Sequence, residues 1–467
     1  MAVVWYLRRF SLVGALLATA VAPRVADAQG ARAGALPRLA VETFTLPNGL
    51  EVILHEDHSV PLVAVNVWYK VGSSDEQAGR TGFAHLFEHL MFMGSENVPV
   101  GKFDEWLEAV GASPNGSTSQ DRTNYYETGS SNALPLMLWL EADRMGRLLP
   151  TMSQEKLDLQ RDIVKNERRQ SYDNVPYGRA YETILAALYP ARHPYSWPVI
   201  GSMADLSAAA LEDVNNFFRT YYAPNNAALS IAGDFEPDSA RAWVTRYFGS
   251  IPRGPAMPAR PVAGEPRLLR DTALVLEDRV QLPRVYWAWH SARAFDADDA
   301  ALDLLAYVLA GDKNSRLYKR LVYELQIAQS VRAFQSSGRI AGSFIVDVTP
   351  RPGQDPAKVA QVVEEEIAKV IARGVDAEEL TRARNTQLSG MLNSLSSVQG
   401  KADQFNYYNY FVGTPDFVRQ DAARYVEATA ADVQRVARRY LDQANVLLTV
   451  VPEGKTEMMV KAGGENE

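Results

Sequence analysis

Residues 81–94 read TGFAHLFEHLMFMG, an apolar run with three ionisable side chains set into it, His85, Glu88 and His89. The run predicts a helix from about Gly82 to Met93, with Gly94 past its end as a C-cap. Positions four apart share a helix face, so the two imidazoles can reach one ion. Glu88 stands one position before His89, on an adjacent part of that face, where it can act on water at the ion without ligating. This H-x-x-E-H order is the reverse of the H-E-x-x-H zinc helix. A catalytic zinc takes three protein ligands and keeps one position open. There it acidifies water and polarises a carbonyl, and Glu88 is placed to take the proton and pass it to a leaving amine. The chain has no cysteine, so the third ligand must be His, Asp or Glu. His55, His58, His193 and His290 lack a ligand partner at short spacing and read as structural or surface residues.

Upstream, Val41–Leu46 and Leu50–His55 alternate like strands around Pro47-Asn48-Gly49, a hairpin signal. VAVNVWYKV (63–71) continues a third strand from Leu62. Downstream lies a long charged helix, Gln154–Ser171, and then ALSIAGD (228–234). PRGPAMPARPVAGEP (252–266) holds five prolines and reads as a linker. Beyond it the order returns: VYWAWHS (285–291), a helix ending LDLLAYVLAG (302–311), a charged helix Ala377–Leu395, and VLLTVV (446–451). Leu302, Leu305 and Ala306 stand where His85, Glu88 and His89 would be, so the chemistry is not duplicated. The pattern predicts an α+β fold of two homologous α/β-sandwich domains, 40–251 and 267–460, joined by the 252–266 linker.

The bulk composition is that of a globular protein: 467 residues, 47% hydrophobic, 22% charged, net charge -8. Nothing in it points to a nucleic-acid binder, which would show a basic face. Arg8 and Arg9 precede an apolar run, Phe10–Ala22, and then Ala26-Asp27-Ala28. This predicts a signal peptide over 1–28, a flexible leader over 29–39, and an exported protein of the bacterial periplasm with no membrane span in the mature chain. An uncleaved N-terminal anchor is the other reading.

TLPNGLEVILHED (45–57), WYKVGSSDE (68–76), the helix segment 81–95, RDIVKNE (161–167) and YYAPNNAALSIAGDF (221–235) together resemble peptidase family M16. This is the group of pitrilysin, insulysin and the mitochondrial processing peptidase, and the chain is most similar to its shorter two-domain subfamily. The resemblance implies a zinc-dependent endopeptidase acting on peptides or unfolded segments, built on duplicated processing-peptidase-type units. It makes Glu167, at the end of RDIVKNE, the third zinc ligand beside His85 and His89. It makes Gln160, seven residues earlier, a second-shell residue where the family often has Glu. ASPNGSTSQDRTNYYET (112–128) resembles the family's exposed edge strand, to which a peptide adds as a further strand. There Asn115 and Gly116 match the family's Asn-Ala step and Tyr126 is a candidate site residue. A plain hairpin with Asn115-Gly116 at its turn is the alternative.

SRLYKRLVYELQIAQSV (315–331) departs from the resemblance. Active members use an Arg and a Tyr seven apart here to hold substrate, and this chain has Val322 and Gln329. Arg320, Tyr318 and Tyr323 are near but out of register. A partner is therefore expected: a related metal-free subunit carrying the Arg/Tyr pair, in a heterodimer, or else a homodimer. A non-catalytic binding or assembly subunit and a zinc hydrolase of another amide are the competing functions. Tyr407, Tyr408, Tyr410 and Phe411 read as core or interface.

Overall fold

A computed structural model describes residues 38–260 and 266–461. The signal peptide, the leader up to residue 37 and residues 261–265 of the linker lie outside the described residues. Among those described, no helix is long and apolar enough to cross a membrane.

The first half runs β1 (Glu42–Thr45), β2 (Glu51–Glu56), β3 (Leu62–Tyr69), α1 (Phe83–Leu90), α2 (Lys102–Ala109), β4 (Ser113–Thr118) and β5 (Thr123–Ser130). It continues through α3 (Leu134–Arg147), α4 (Gln154–Arg168), α5 (Ala180–Leu188), α6 (Met203–Ala208), α7 (Leu211–Tyr221), β6 (Ala227–Gly233) and α8 (Pro237–Phe248). The second half runs β7 (Thr272–Asp278), β8 (Arg284–Ser291), α9 (Asp299–Ala310), β9 (Ala328–Ser337) and β10 (Gly342–Pro350). It ends with α10 (Pro356–Arg373), α11 (Ala377–Ser394), α12 (Val398–Val412), α13 (Val418–Glu427), α14 (Ala430–Val436) and β11 (Val446–Pro452).

Two mixed α/β sheets result, ordered β1-β2-β6-β3-β5-β4 and β7-β11-β8-β10-β9. Without β1, the first order maps strand for strand on the second. Each has one parallel pair, β2 with β6 and β7 with β11, and is otherwise antiparallel. α9 therefore takes the topological place of α1, with Leu302, Leu305 and Ala306 buried in the second core. The β1–β2 hairpin forms as read: Gly49 takes φ +96, and Asn48 turns inward to cap the carbonyls of Phe248 and Ile251 at 2.8 and 3.0 Å.

Each sheet buries one face under its own helices and the other under a helix lent by the opposite half. α12 lays Val398, Ala402, Phe405 and Tyr408 on Ile53, Ala64 and Ala232 of the first sheet. α5 lays Ile184 and Leu188 on Tyr286, Ala288, Val446 and Leu448 of the second. A sheet face this apolar cannot stay in water, so the exchange makes the halves interdependent. The aromatic group on α12 lies in this junction: Tyr407 and Tyr410 each sit 6.3 Å from Trp68, and Tyr408 is buried. The 252–260 stretch is held against the first half and does not hang free: Asn225 Nδ2 donates to Pro255 O at 2.9 Å, and Arg260 reaches Asp75 at 3.2 Å and Tyr410 at 3.0 Å.

Phe405→Ala removes the largest apolar group of α12 from the first sheet. It is expected to cost about 3–5 kcal/mol. In urea denaturation followed by tryptophan fluorescence and by circular dichroism, both probes should shift together; a catalytic half that melts at its wild-type midpoint would contradict the exchange.

Candidate metal centre

α1 packs Phe83, Leu86, Phe87 and Leu90 into the first core and leaves His85, Glu88 and His89 half-buried. The helix stops at Leu90, three residues short of the sequence reading; Met91–Met93 form a tighter turn. Its N-terminus has no side-chain cap of its own, and Gly82 supplies the left-handed φ of +88. Glu76 instead accepts the N–H groups of Gly82 at 3.0 Å and Ala84 at 2.8 Å. Burial pushes the Glu76 carboxyl up to about 8, against the pull of those two donors.

α4 starts with Ser153 capping Lys156 N and ends in a wider turn over Arg169–Asp173. At that end Arg168 is buried, donating to Gly201 O at 2.7 Å and to Glu182 at 2.8 and 3.0 Å. This clamp fixes the neighbouring Glu167, whose Oε2 lies 3.2 Å from His89 Nε2 and 3.7 Å from His85 Nε2. One donor atom from each of the three lies within 4.8 Å of the others. Donors bonded to a tetrahedral zinc at about 2.0–2.1 Å stand about 3.3 Å apart, so two imidazoles and one carboxylate at these separations fit that ion.

The electrostatics keep the donors in their ligating forms. Burial, helped by the neighbouring His89, lowers the His85 ring to about 4, leaving it neutral at pH 7. Glu167 is held below the usual carboxylate range, chiefly by its hydrogen bond with His89. Glu88 moves the other way: burial raises its pKa, opposed by a 2.6 Å hydrogen bond from Thr118 Oγ1 to its Oε2. A carboxylate beside the donor set with a raised proton affinity is suited to general base work.

β4 is the edge of the first sheet and runs past Glu88. Asn115 and Gly116 lie within it, opposite Tyr126 and Tyr125; the hairpin turn falls at 119–122. Ser119 N donates to Arg122 O, so by antiparallel alternation Ser117 and Asn115 point their backbone groups at β5. Gly116 and Thr118 turn theirs to the free edge. A Cβ at Gly116 would sit 3.0 Å from Glu88 Cγ, so glycine lets strand and base approach. Asn115 Oδ1 accepts from Gly116 N at 2.8 Å.

Two candidate residues make no bond to the three donors. Tyr126 lies on the sheet face away from α1. It pairs with Asn66, on the sheet face covered by α12, while Tyr125 faces α1 with its hydroxyl 3.5 Å from Phe87 O. Strand alternation sends neighbours to opposite faces. Gln160 is buried two turns back on α4, about 10 Å along the axis, and its amide donates to Met93 Sδ at 2.7 Å. It makes no hydrogen bond to His85, His89 or Glu167, and His85 Nδ1 is buried without a partner. In the second half, Val322 packs half-buried on the core and Gln329 is exposed at the start of β9. Arg320 pairs with Glu324 at 3.2 Å, Tyr318 packs on the core, and Tyr323 is 74% exposed. None of these bonds to the metal centre.

Sequence reading missed Thr118 and Glu76. A signal for Thr118 was present, since it lies two residues from Gly116 on the same strand face; Glu76 carried none. The remaining histidines have other neighbours: His55 on Ala40 O at 2.7 Å, His58 between Glu56 and Asp234, His193 stacked on Tyr189, and His290 half-buried beside Tyr189.

Known proteins resemble the chain over most of its length. The family described as "Insulinase (Peptidase family M16)" matches residues 51–194, and "Peptidase M16 inactive domain" matches 208–387. The chain is 31% identical over 417 residues to the zinc protease PqqE of Helicobacter pylori, spanning 85% of this chain and 90% of that protein. It is 25% identical over 426 residues to the probable mitochondrial-processing peptidase subunit beta of Arabidopsis thaliana, spanning 87% and 77%. The crystal structure of a protease from Helicobacter pylori matches with a TM-score of 0.82 at 26% identity, over 89% of this chain and 100% of that one. The chain belongs to peptidase family M16.

His85→Ala, His89→Ala and Glu167→Gln should each weaken zinc binding by more than about a hundredfold, measured by competition with a chromophoric chelator. Glu88→Gln should bind zinc as the wild type does, because it removes no ligand.

Proposed function

We propose that this chain is a zinc-dependent endopeptidase that cleaves peptides or unfolded segments. The observation that carries the reading is the placement of Glu88 between a His-His-Glu donor set and the free edge of β4. His85, His89 and Glu167 would hold zinc, which when bound would supply Lewis acidity for the scissile carbonyl and for water. An extended peptide lies along β4 and bonds to the edge-facing backbone of Gly116 and Thr118, its carbonyl replacing Asn115 Oδ1 at Gly116 N. Glu88, with Oε2 held by Thr118, takes the proton of the attacking water and returns it to the leaving amine nitrogen. The relatives named zinc proteases support both the metal and the reaction class.

The missing Arg/Tyr pair supports a partner. Each donor to a developing oxyanion is commonly worth about 3 kcal/mol, roughly a hundredfold in rate. With Val322 and Gln329 in those places, the chain works as a heterodimer with a related metal-free subunit carrying Arg and Tyr. A homodimer is the second arrangement. The Arabidopsis relative is named a subunit, consistent with assembly in this family. Arg8, Arg9 and the apolar run after them support export to the periplasm. The competing reading, a non-catalytic binding subunit, draws on the family description of the second half as inactive. In that half Leu302, Leu305 and Ala306 stand where the first has His85, Glu88 and His89, and the description leaves the first half untouched.

A quenched-peptide assay tests the reading. Zinc-loaded protein is expected to cleave weakly alone and at least about tenfold faster with a related Arg/Tyr-bearing subunit. Glu88→Gln should abolish turnover with zinc retained; turnover near the wild-type rate would remove Glu88 from its role. Thr118→Val removes one hydrogen bond to a charged group and should lower kcat about tenfold without changing zinc content.

A further inference from the structure

The metal-free half reaches the β4–β5 hairpin at its turn, where Arg339 N donates to Asp121 Oδ2 at 2.8 Å, and from behind, through a carboxylate on α12. Asp403 lies on α12, the helix lent to the back of the first sheet. Its Oδ1 accepts three hydrogen bonds: from Asn66 Nδ2 at 3.2 Å, Trp68 Nε1 at 3.1 Å and Asn124 Nδ2 at 3.3 Å. Asn66, Trp68 and Asn124 are all buried, so these donors have no water to turn to. Asn124 is thereby oriented with Oδ1 toward β4, where it accepts from Ser117 Oγ at 2.7 Å and Arg122 Nη1 at 3.0 Å. Arg122 Nη1 also donates to Ser117 O at 2.7 Å, and its guanidinium lies 5.3 Å from the Trp68 ring centre. Ser117 sits between Gly116 and Thr118, the residues whose backbone faces the free edge, and Thr118 holds Glu88. One turn earlier on α12, Gln399 Oε1 accepts from Thr128 Oγ1 at 3.1 Å; one turn later, Asn406 Nδ2 donates to Asn66 O at 2.9 Å.

We infer that Asp403 is a positioning residue: the second half acts on the reaction in cis by fixing, through Asn124, Arg122 and Ser117, the edge strand on which the peptide lies. The inference rests on the peptidase reading above for its effect on turnover, but not for its effect on the strand. Asn124 Nδ2 also donates to Asn66 Oδ1 at 3.1 Å, and Asn66 is itself held by Asp403, so loss of that acceptor loosens both amides, and with them Ser117, Arg122 and β4 beside Glu88. Because all three bonds go to Oδ1, asparagine at 403 can keep them and lose only the charge.

The test uses the full-length, zinc-loaded protein with Asp403→Ala and Asp403→Asn. Hydrogen exchange over residues 113–126 is expected to speed by about tenfold or more in Asp403→Ala, while exchange over α1 stays unchanged. In the peptide assay kcat/KM should fall about tenfold, mainly through KM for an extended peptide, with zinc content constant. Asp403→Asn should restore both values to within about threefold of wild type. If Asp403→Ala fails to fold, Ser117→Ala, which cuts the same route at the strand, should give the same exchange and KM changes. Exchange and kcat/KM within about twofold of wild type in the folded variant would overturn the inference and leave Asp403 as packing. If the wild type cleaves no peptide with or without a partner, the peptidase reading fails, and the exchange measurement still decides the role of Asp403.

Discussion

Two imidazoles on one helix cannot enclose an ion; the third donor must be brought to them from elsewhere, and the first half is arranged around that need. Glu167 comes from the far end of α4, and its position depends on Arg168, buried at the same end and clamped to Glu182 and Gly201 O. α1 is fixed at its own start by Glu76 and along its length by the apolar face that enters the core. Both helices are thus set by contacts on their buried sides, which leaves the opposing sides free to carry chemistry. A metal centre built this way tolerates little shift, because donor separations of a few ångströms define it.

The duplication explains why a half without chemistry is retained. Each sheet has two apolar faces, and each half supplies helices for only one and part of the other. α5 and α12 complete the cover reciprocally, so neither sheet is sealed without the opposite half. The same crossing brings polar side chains of α12 to the back of the strands that carry the base and the free edge. Scaffold and catalytic half are therefore separate in sequence but not in packing.

Features that depend on local spacing were legible in the sequence. The His85/His89 spacing, the Asn48-Gly49 turn and the return of the strand–helix order after residue 266 each follow from helix or strand periodicity alone. Features that depend on which strands pair were not. Tyr126 read as a site residue because it lies in the 112–128 segment that resembles the family's edge strand, yet pairing with Asn66 puts it on the sheet face away from α1. Thr118 reaches Glu88 only once β4 lies beside α1. Asp403 stands on a helix that also carries Lys401 and several amides, and no local pattern marks it as the shared acceptor for two strands. The helix end was misjudged by three residues because Met91–Met93 are apolar enough to continue α1 but turn away to start the next segment.

The donor set itself is most directly tested by zinc K-edge X-ray absorption on the purified, zinc-loaded chain. The account requires one zinc per chain with a first shell of two imidazole nitrogens and oxygen donors, all at about 2.0–2.2 Å, and loss of the imidazole scattering in His85→Ala with His89→Ala. A first shell of oxygen alone, or an unaltered spectrum in that double variant, would contradict it.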